Sequence, residues 1–231
     1  MSAISPSADV PVFAGYDLWA SSYDELDNPL VAMAAYALTG RLGRFAGARV
    51  LELGCGTGRN APVLLAAGAA SYVGVDGSAG MLAQARTRTA DPRASFIEAD
   101  MVASLPAEHA GFDAVLFCLV LEHAPAVEPA IAAATAALRP GGEMLIYELH
   151  PDHHDAGRRA HFVVGDQELR LPSYRHDAAE FHRAATAAGL EVTTEASWYA
   201  SSESARLSAK LDRYRGGHPI LIELRALRRH G

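Results

Sequence analysis

Short, nearly continuous apolar runs alternate along the middle of the chain with alanine-rich amphipathic stretches. The runs cover residues 49–53, 71–75, 94–98, 112–118 and 143–149, and the stretches cover 59–67, 78–89 and 126–138. Strands apolar on both faces and separated by helices predict a parallel sheet covered on either side. Gly141-Gly142 predicts the stop of the last of these helices, with a strand following. Upstream, Tyr16, Trp19 and Tyr23, then Leu30, Met33, Ala34, Ala37, Leu38 and Leu42, recur at helical spacing. They predict two helices parted at Asn28-Pro29, because proline suits a helix start and disrupts its interior. Residues 1–11 hold few large apolar groups and read as a loose tail.

Downstream, residues 150–176 are polar and histidine-rich. They contain a hairpin signal, 162–164 and 169–171 joined through Gly165-Asp166. A helix over 177–188 closes at Gly189, and strands over 191–200 and 219–228 flank a polar excursion. Neither an internal repeat nor a dividing linker is visible, so residues 1–231 read as one domain.

Composition narrows the function classes. Half the residues are hydrophobic and a fifth charged, an ordinary globular balance, and the net charge is −7. Phosphate-neutralising binders carry the opposite sign, so nucleic acid is disfavoured, the basic C-terminal end notwithstanding. Cys55 and Cys118 cannot build a disulfide framework or a zinc site alone. With no signal-peptide pattern and no apolar run long enough to span a bilayer, a soluble cytoplasmic protein is expected.

The strongest motif is VLELGCGTGRN, residues 50–60, an apolar strand running through Gly54, Gly56 and Gly58 into a helix. Glycines allow a tight turn and close approach of a ligand to the backbone. A dinucleotide site spaces them G-x-G-x-x-G. Here the spacing is G-x-G-x-G, and Glu52 would repel a pyrophosphate but attract a cation such as the sulfonium and ammonium of S-adenosylmethionine. Asp76, ending the next strand, can accept both hydroxyls of a ribose, and Asp100, ending the third, lies within reach of an adenine amino group. A nicotinamide dehydrogenase fails on both the spacing and Glu52.

With LELGCGTG, VGVDGSAGMLAQA, EADM, FDAVLFCLVLEH and LRPGGEMLIYELHP in this order, the chain resembles a class I S-adenosylmethionine-dependent methyltransferase of the small-molecule type. The resemblance implies an α/β, Rossmann-like sheet of seven mostly parallel strands, the last antiparallel, with helices on both faces. It divides the domain into a helical lid (12–45), a cofactor-binding core (48–151) and acceptor-side and closing strands (152–231). It implies that Glu52, Gly54, Cys55, Gly56 and Gly58 contact the methionine half of the cofactor, Asp76 the ribose, and Asp100 with Met101 the adenine. Cys118 would place its backbone near the amino group or sulfonium. Tyr16 and Tyr23 would close over the cofactor, and Ser78 and Met81 would line the adenosine or simply pack their helix.

Methyl transfer needs positioning, and a base only when the nucleophile carries a proton of high pKa. Ligands of open α/β sheets sit at strand carboxyl ends. The candidate bases there are Glu122, His123, Glu148, His150 and His176, with His150, His123 and His176 the catalytic candidates and His150 preferred. Tyr174 and Trp198 are candidates for an aromatic pocket. The histidines of 150–162 match no zinc spacing, and no metal is expected. The expected activity is O-methylation of a small-molecule hydroxyl, or N-methylation, in bacterial secondary metabolism, by a monomer or homodimer. Rival readings are a quinone C-methyltransferase, a tRNA-modifying enzyme and a non-catalytic cofactor-binding regulator.

Overall fold

The computed structural model describes residues 5–102 and 110–230. In chain order the main elements are β1 (Ser5–Asp9), α1 (Val12–Trp19), α2 (Pro29–Thr39), β2 (Arg49–Leu53), α3 (Asn60–Ala66), β3 (Ser71–Asp76), α4 (Ala79–Arg88) and β4 (Ala94–Glu98). There follow β5 (Phe112–Cys118), α5 (Glu128–Ala137), β6 (Leu138–Leu149), α6 (Pro151–Asp155), β7 (His161–Val164), β8 (Gln167–Arg170), α7 (Ala178–Ala187), β9 (Leu190–Trp198) and β10 (Leu221–Arg228).

Seven strands form the main sheet in the order β4-β3-β2-β5-β6-β10-β9. The pairs from β4 to β6 are parallel, and β10 runs antiparallel to both its neighbours. The alternation of strand side chains divides the core in two. Leu51, Leu53, Val115, Phe117 and Ile146 face one way, packing with Ile131 of α5 and Phe181 of α7. Val50, Tyr72, Leu116, Leu145 and Tyr147 face the other, packing with Met33 and Leu38 of α2 and Leu64 of α3. The same alternation sends Glu52 toward α2 and α3, and Glu148 to the opposite face.

Two local expectations need correction, and one helix is new. The segment read as a loose tail contributes β1, which pairs parallel to β8 in a second sheet of order β1-β8-β7. Its few apolar groups suffice because Ala8 and Val10 join a small cluster of Trp19, Phe162, Leu169 and Leu171. Trp19 stacks on Phe162 with centroids 4.8 Å apart, so α1 rides on this small sheet. The last core helix ends at Ala137, before Gly141-Gly142, and β6 starts immediately. Its pairing with β5 jumps from Phe112–Leu138 to Ala114–Glu143, so the glycines lie in a bulge that Gly141, at φ +74°, permits. The polar stretch after β6 contains α6, whose N-terminus His150 caps by accepting from Asp152 N at 3.2 Å. Among the described residues no helix is long and apolar enough to cross a membrane.

Candidate active site

The glycine loop joins β2 to α3, and all three glycines have positive φ, +72°, +53° and +67° for Gly54, Gly56 and Gly58. A Cβ on Gly54 would collide with Val120, and one on Gly58 would lie 2.9 Å from the Ala85 Cβ. These two are small so that the loop can pack. A Cβ on Gly56 would meet nothing within 4 Å among the described residues, so Gly56 bares its backbone to open space there, where a ligand can approach.

Asp76, at the end of β3, holds that backbone in place. Its Oδ2 accepts from Gly56 N at 2.8 Å and its Oδ1 from Ser78 N at 2.9 Å. Each oxygen keeps lone-pair capacity for a further donor. Burial raises its pKa, and the two backbone N–H groups oppose the rise. Glu52 is buried deeper, accepting from Tyr72 Oη at 2.5 Å and from Asn60 Nδ2 at 2.7 Å. Burial dominates these two bonds and pushes its carboxyl up to about 7. The Cys118 thiol is likewise pushed up to about 12 by burial.

Around these groups lie two adjoining cavities that share Tyr16, Gly54, Asp76, Val120 and His123 as walls. The narrower, about 60 Å³, brings together Tyr16, Tyr23, Glu52, Gly54, Cys55, Gly56, Asp76, Met81, Cys118 and His123 from the sequence-predicted set. The wider, about 550 Å³, adds Asp100 and Met101, with mostly apolar walls from Pro11, Val12, Phe13, Val102 and Pro125.

Six predicted residues line neither cavity, among them the candidate bases Glu122 and Glu148. Gly58 packs against Ala85 and Phe96. Ser78 is the N-cap of α4, accepting from Met81 N at 3.1 Å. His150 faces β9, its Nε2 lying 3.3 Å from Ser197 Oγ. His176 sits behind the wall, its Nε2 2.8 Å from the Ala124 carbonyl. The proposed aromatic pocket does not form either: Tyr174 is exposed, and Trp198 packs on Tyr36 and donates to Glu223.

His123 alone of the three catalytic candidates reaches the cleft, and both its ring nitrogens are engaged. Nδ1 lies 2.6 Å from the Pro172 carbonyl oxygen, and Nε2 lies 2.7 Å from the Tyr16 hydroxyl. The loop that carries it starts with Leu119 at φ +59°, the one non-glycine residue with positive φ among those described. Such a conformation persists only where surroundings enforce it. Here Leu119 N donates to the Tyr147 carbonyl at 2.8 Å, and Glu148 Oε1 accepts from Val120 N at 2.7 Å and Leu121 N at 2.8 Å. Burial pushes the Glu148 carboxyl up to about 8.

Residues 50–142 match the family described as a methyltransferase domain. Over 213 residues the chain is 30% identical to the demethylmenaquinone methyltransferase of Clavibacter sepedonicus, covering 86% of each protein. The chain belongs to the class I S-adenosylmethionine-dependent methyltransferases. The methyltransferase also superposes on the solved DhpI–SAH complex with a TM-score of 0.69 at 25% identity, over 95% of this chain and 96% of that one. An S-adenosylmethionine-dependent methyltransferase from Mesorhizobium loti shares its fold, with a TM-score of 0.68 at 21% identity over 83% and 96% of the two chains.

Several wall residues of this methyltransferase escaped the sequence reading. Arg59 and Asn60 stand directly after the glycine loop, where a helix N-terminus meets the ligand side, and that position was the available signal. Arg59 donates to Asp24 at 2.9 Å and lies 5.2 Å from the Tyr23 ring centroid. Val31, Ala34 and Ala35 come from α2, and nothing in their spacing marks them as other than core.

Proposed function

We propose that this methyltransferase transfers the methyl group of S-adenosylmethionine to a hydroxyl of a small, largely apolar molecule. The observation that carries the reading is Asp76 standing on the wall shared by two adjoining cavities, the narrower reaching the buried Glu52 and the wider almost wholly apolar. Its carboxylate, preset by Gly56 and Ser78, suits the hydroxyls of a ribose. The wide apolar cavity beyond it suits adenine, with Asp100 at its rim. The narrower cavity suits an amino-acid moiety, with the open face of Gly56 admitting it and Glu52 toward an ammonium.

When bound, the cofactor supplies an electrophilic methyl group. The chain supplies orientation and exclusion of water: α1 covers the cleft through Tyr16, and the strained loop at Leu119 fixes Val120 and His123 beside it. Val31, Ala35, Leu119 and the rings of Tyr16 and Tyr23 offer an acceptor apolar contacts. Arg59 is the one cation on the narrow cavity among the described residues, and Asp24 already engages it. That lining favours a neutral acceptor. A second reading, methylation of a quinol ring carbon, draws on the demethylmenaquinone methyltransferase relative and fits the same walls. The net charge of −7 disfavours tRNA.

Isothermal titration with S-adenosylhomocysteine and with NAD tests the cofactor. One-to-one binding of the first, weakened in Asp76→Ala, is expected; binding of NAD instead overturns the reading. Transfer of labelled methyl into a pooled metabolite extract, with mass-spectrometric location of the methyl, separates O-methyl from C-methyl products.

A further inference from the structure

Tyr16 and His123 form a chain of two hydrogen bonds that ends in a backbone carbonyl, and the chain has a direction. A carbonyl oxygen only accepts, so the proton between His123 and Pro172 belongs to Nδ1, 2.6 Å away. In the neutral imidazole Nε2 then holds a lone pair, and the partner 2.7 Å from it is the Tyr16 hydroxyl, which must donate. With α1 seated, His123 therefore has no lone pair left for a substrate. The Tyr16 oxygen keeps acceptor capacity and stands on the wall of both cavities.

We infer that Tyr16 is the residue that takes the proton of the acceptor hydroxyl, passing its own proton to His123, which acts behind it as a positioning and relay residue. The inference rests on the cofactor and acceptor reading above. The step balances as follows. The acceptor oxygen bonds to the methyl carbon while the sulfur–carbon pair stays on sulfur. The acceptor proton moves to Tyr16 Oη, the Tyr16 proton moves to Nε2, and the imidazolium so formed keeps Nδ1–H on Pro172.

Two features favour a relay over a free phenolate. Burial, with smaller contributions from Tyr23 and the nearby carboxyl groups, raises the Tyr16 pKa well above its ordinary value, so the hydroxyl must gain one proton as it loses the other. The carboxylates of Asp76 and Glu122 lie near enough to disfavour a bare phenolate at Tyr16. The Tyr16 ring is held independently of its hydroxyl, stacked 6.0 Å from Trp19 and edge-on 6.0 Å from Tyr23. Tyr16→Phe thus removes the oxygen and keeps the packing.

The test has two readouts on the full-length chain. Nitrogen-15 spectra of the His123 ring, recorded with S-adenosylhomocysteine bound, should show Nδ1 protonated and Nε2 accepting, and Tyr16→Phe should shift the Nε2 resonance to that of an unbonded nitrogen. A ring protonated on Nε2 overturns the relay whatever the activity. In methyl transfer from labelled S-adenosylmethionine to the pooled extract, Tyr16→Phe and His123→Gln should each lower the rate about 10²-fold. The double variant should be no slower than either single one, and S-adenosylhomocysteine affinity should stay within about threefold. Rate losses that multiply, or a Tyr16→Phe rate equal to wild type, overturn it. A wild-type chain that fails to bind S-adenosylhomocysteine removes the cofactor reading instead, and the relay with it.

Discussion

Asp17 of α1 lies against Ser78, the N-cap of α4: its Oδ1 accepts from Ser78 Oγ at 2.6 Å and from Gly80 N at 2.8 Å. One carboxylate thereby serves an amide and the capping hydroxyl of a helix start and ties α1 to the core. Asp24, just beyond α1, adds ion pairs to Arg59 and Arg88.

Ser78→Ala should therefore act twice. Loss of the cap should cost about 0.5–2 kcal/mol in urea unfolding, the usual range for a capping serine. Hydrogen exchange over residues 12–19 should quicken by more than the global loss explains, because Asp17 loses one of its two donors. If exchange there follows global stability alone, α1 is held by its packing on Trp19 and Phe162 rather than by this link.

The fold was legible where side-chain periodicity is strong. The apolar runs of β2 to β6 and the glycine loop are local patterns, and their strands fall within a few residues of the expected bounds. β1 was illegible because what makes it a strand is a partner far along the chain, β8, rather than anything in its own sequence. The site followed the same division. Asp76 and Glu52 sit at strand ends, which periodicity locates. The direction of a histidine ring leaving a strand end depends on tertiary partners: His150 caps α6, His176 holds Ala124, and His123 alone turns to the cleft.

His150→Ala should consequently leave methyl transfer within a few-fold of wild type while lowering stability through the lost cap of α6. Steady-state rates alongside urea melts check both halves. A loss of 10²-fold or more in rate, the scale of positioned proton transfer, would return His150 to the chemistry and require α6 to rearrange when ligands bind.

In the proposed cofactor site, Glu52 predicts a pH dependence with a definite sign. Its carboxyl is held near pH 7 in the free protein, and an ammonium group nearby favours the ionised form. Above pH 7 the charge is already present, so affinity for S-adenosylhomocysteine should be flat. Below it, binding must expel a proton, and affinity should fall toward tenfold per pH unit, the limit for one linked proton. Titrations from pH 5.5 to 8.5 in buffers of different ionisation enthalpy measure the proton directly. In Glu52→Gln the slope should vanish and binding should be weaker at pH 8. A slope that survives in this variant assigns the proton to another group.

Glu148 carries the corresponding effect on stability. Its Oε1 accepts from Val120 and Leu121, while its Oε2 is buried without a hydrogen-bond partner among the described residues. Burial lifts its carboxyl from 4.5 to about 8. A raised folded-state value means the contribution to stability is complete below about pH 4.5, where both folded and unfolded chains hold the proton. It is lost progressively as pH rises toward 8, because the unfolded chain ionises first, and is constant above that. Glu148→Gln keeps an acceptor for both amides and does not titrate. Relative to this variant, wild type should lose stability between pH 5 and pH 8, by an amount on the order of a few kcal/mol. Urea melts of both proteins at pH 5, 6.5, 8 and 9 measure the difference. Parallel curves would mean that the buried carboxylate has found a partner that stabilises its charge. Should Glu148→Gln also slow methyl transfer at pH 6.5, where wild type holds the proton, the hydrogen bonds to Val120 and Leu121 are not equivalent in the amide. The strained turn at Leu119 would then be the element that transmits the change to His123.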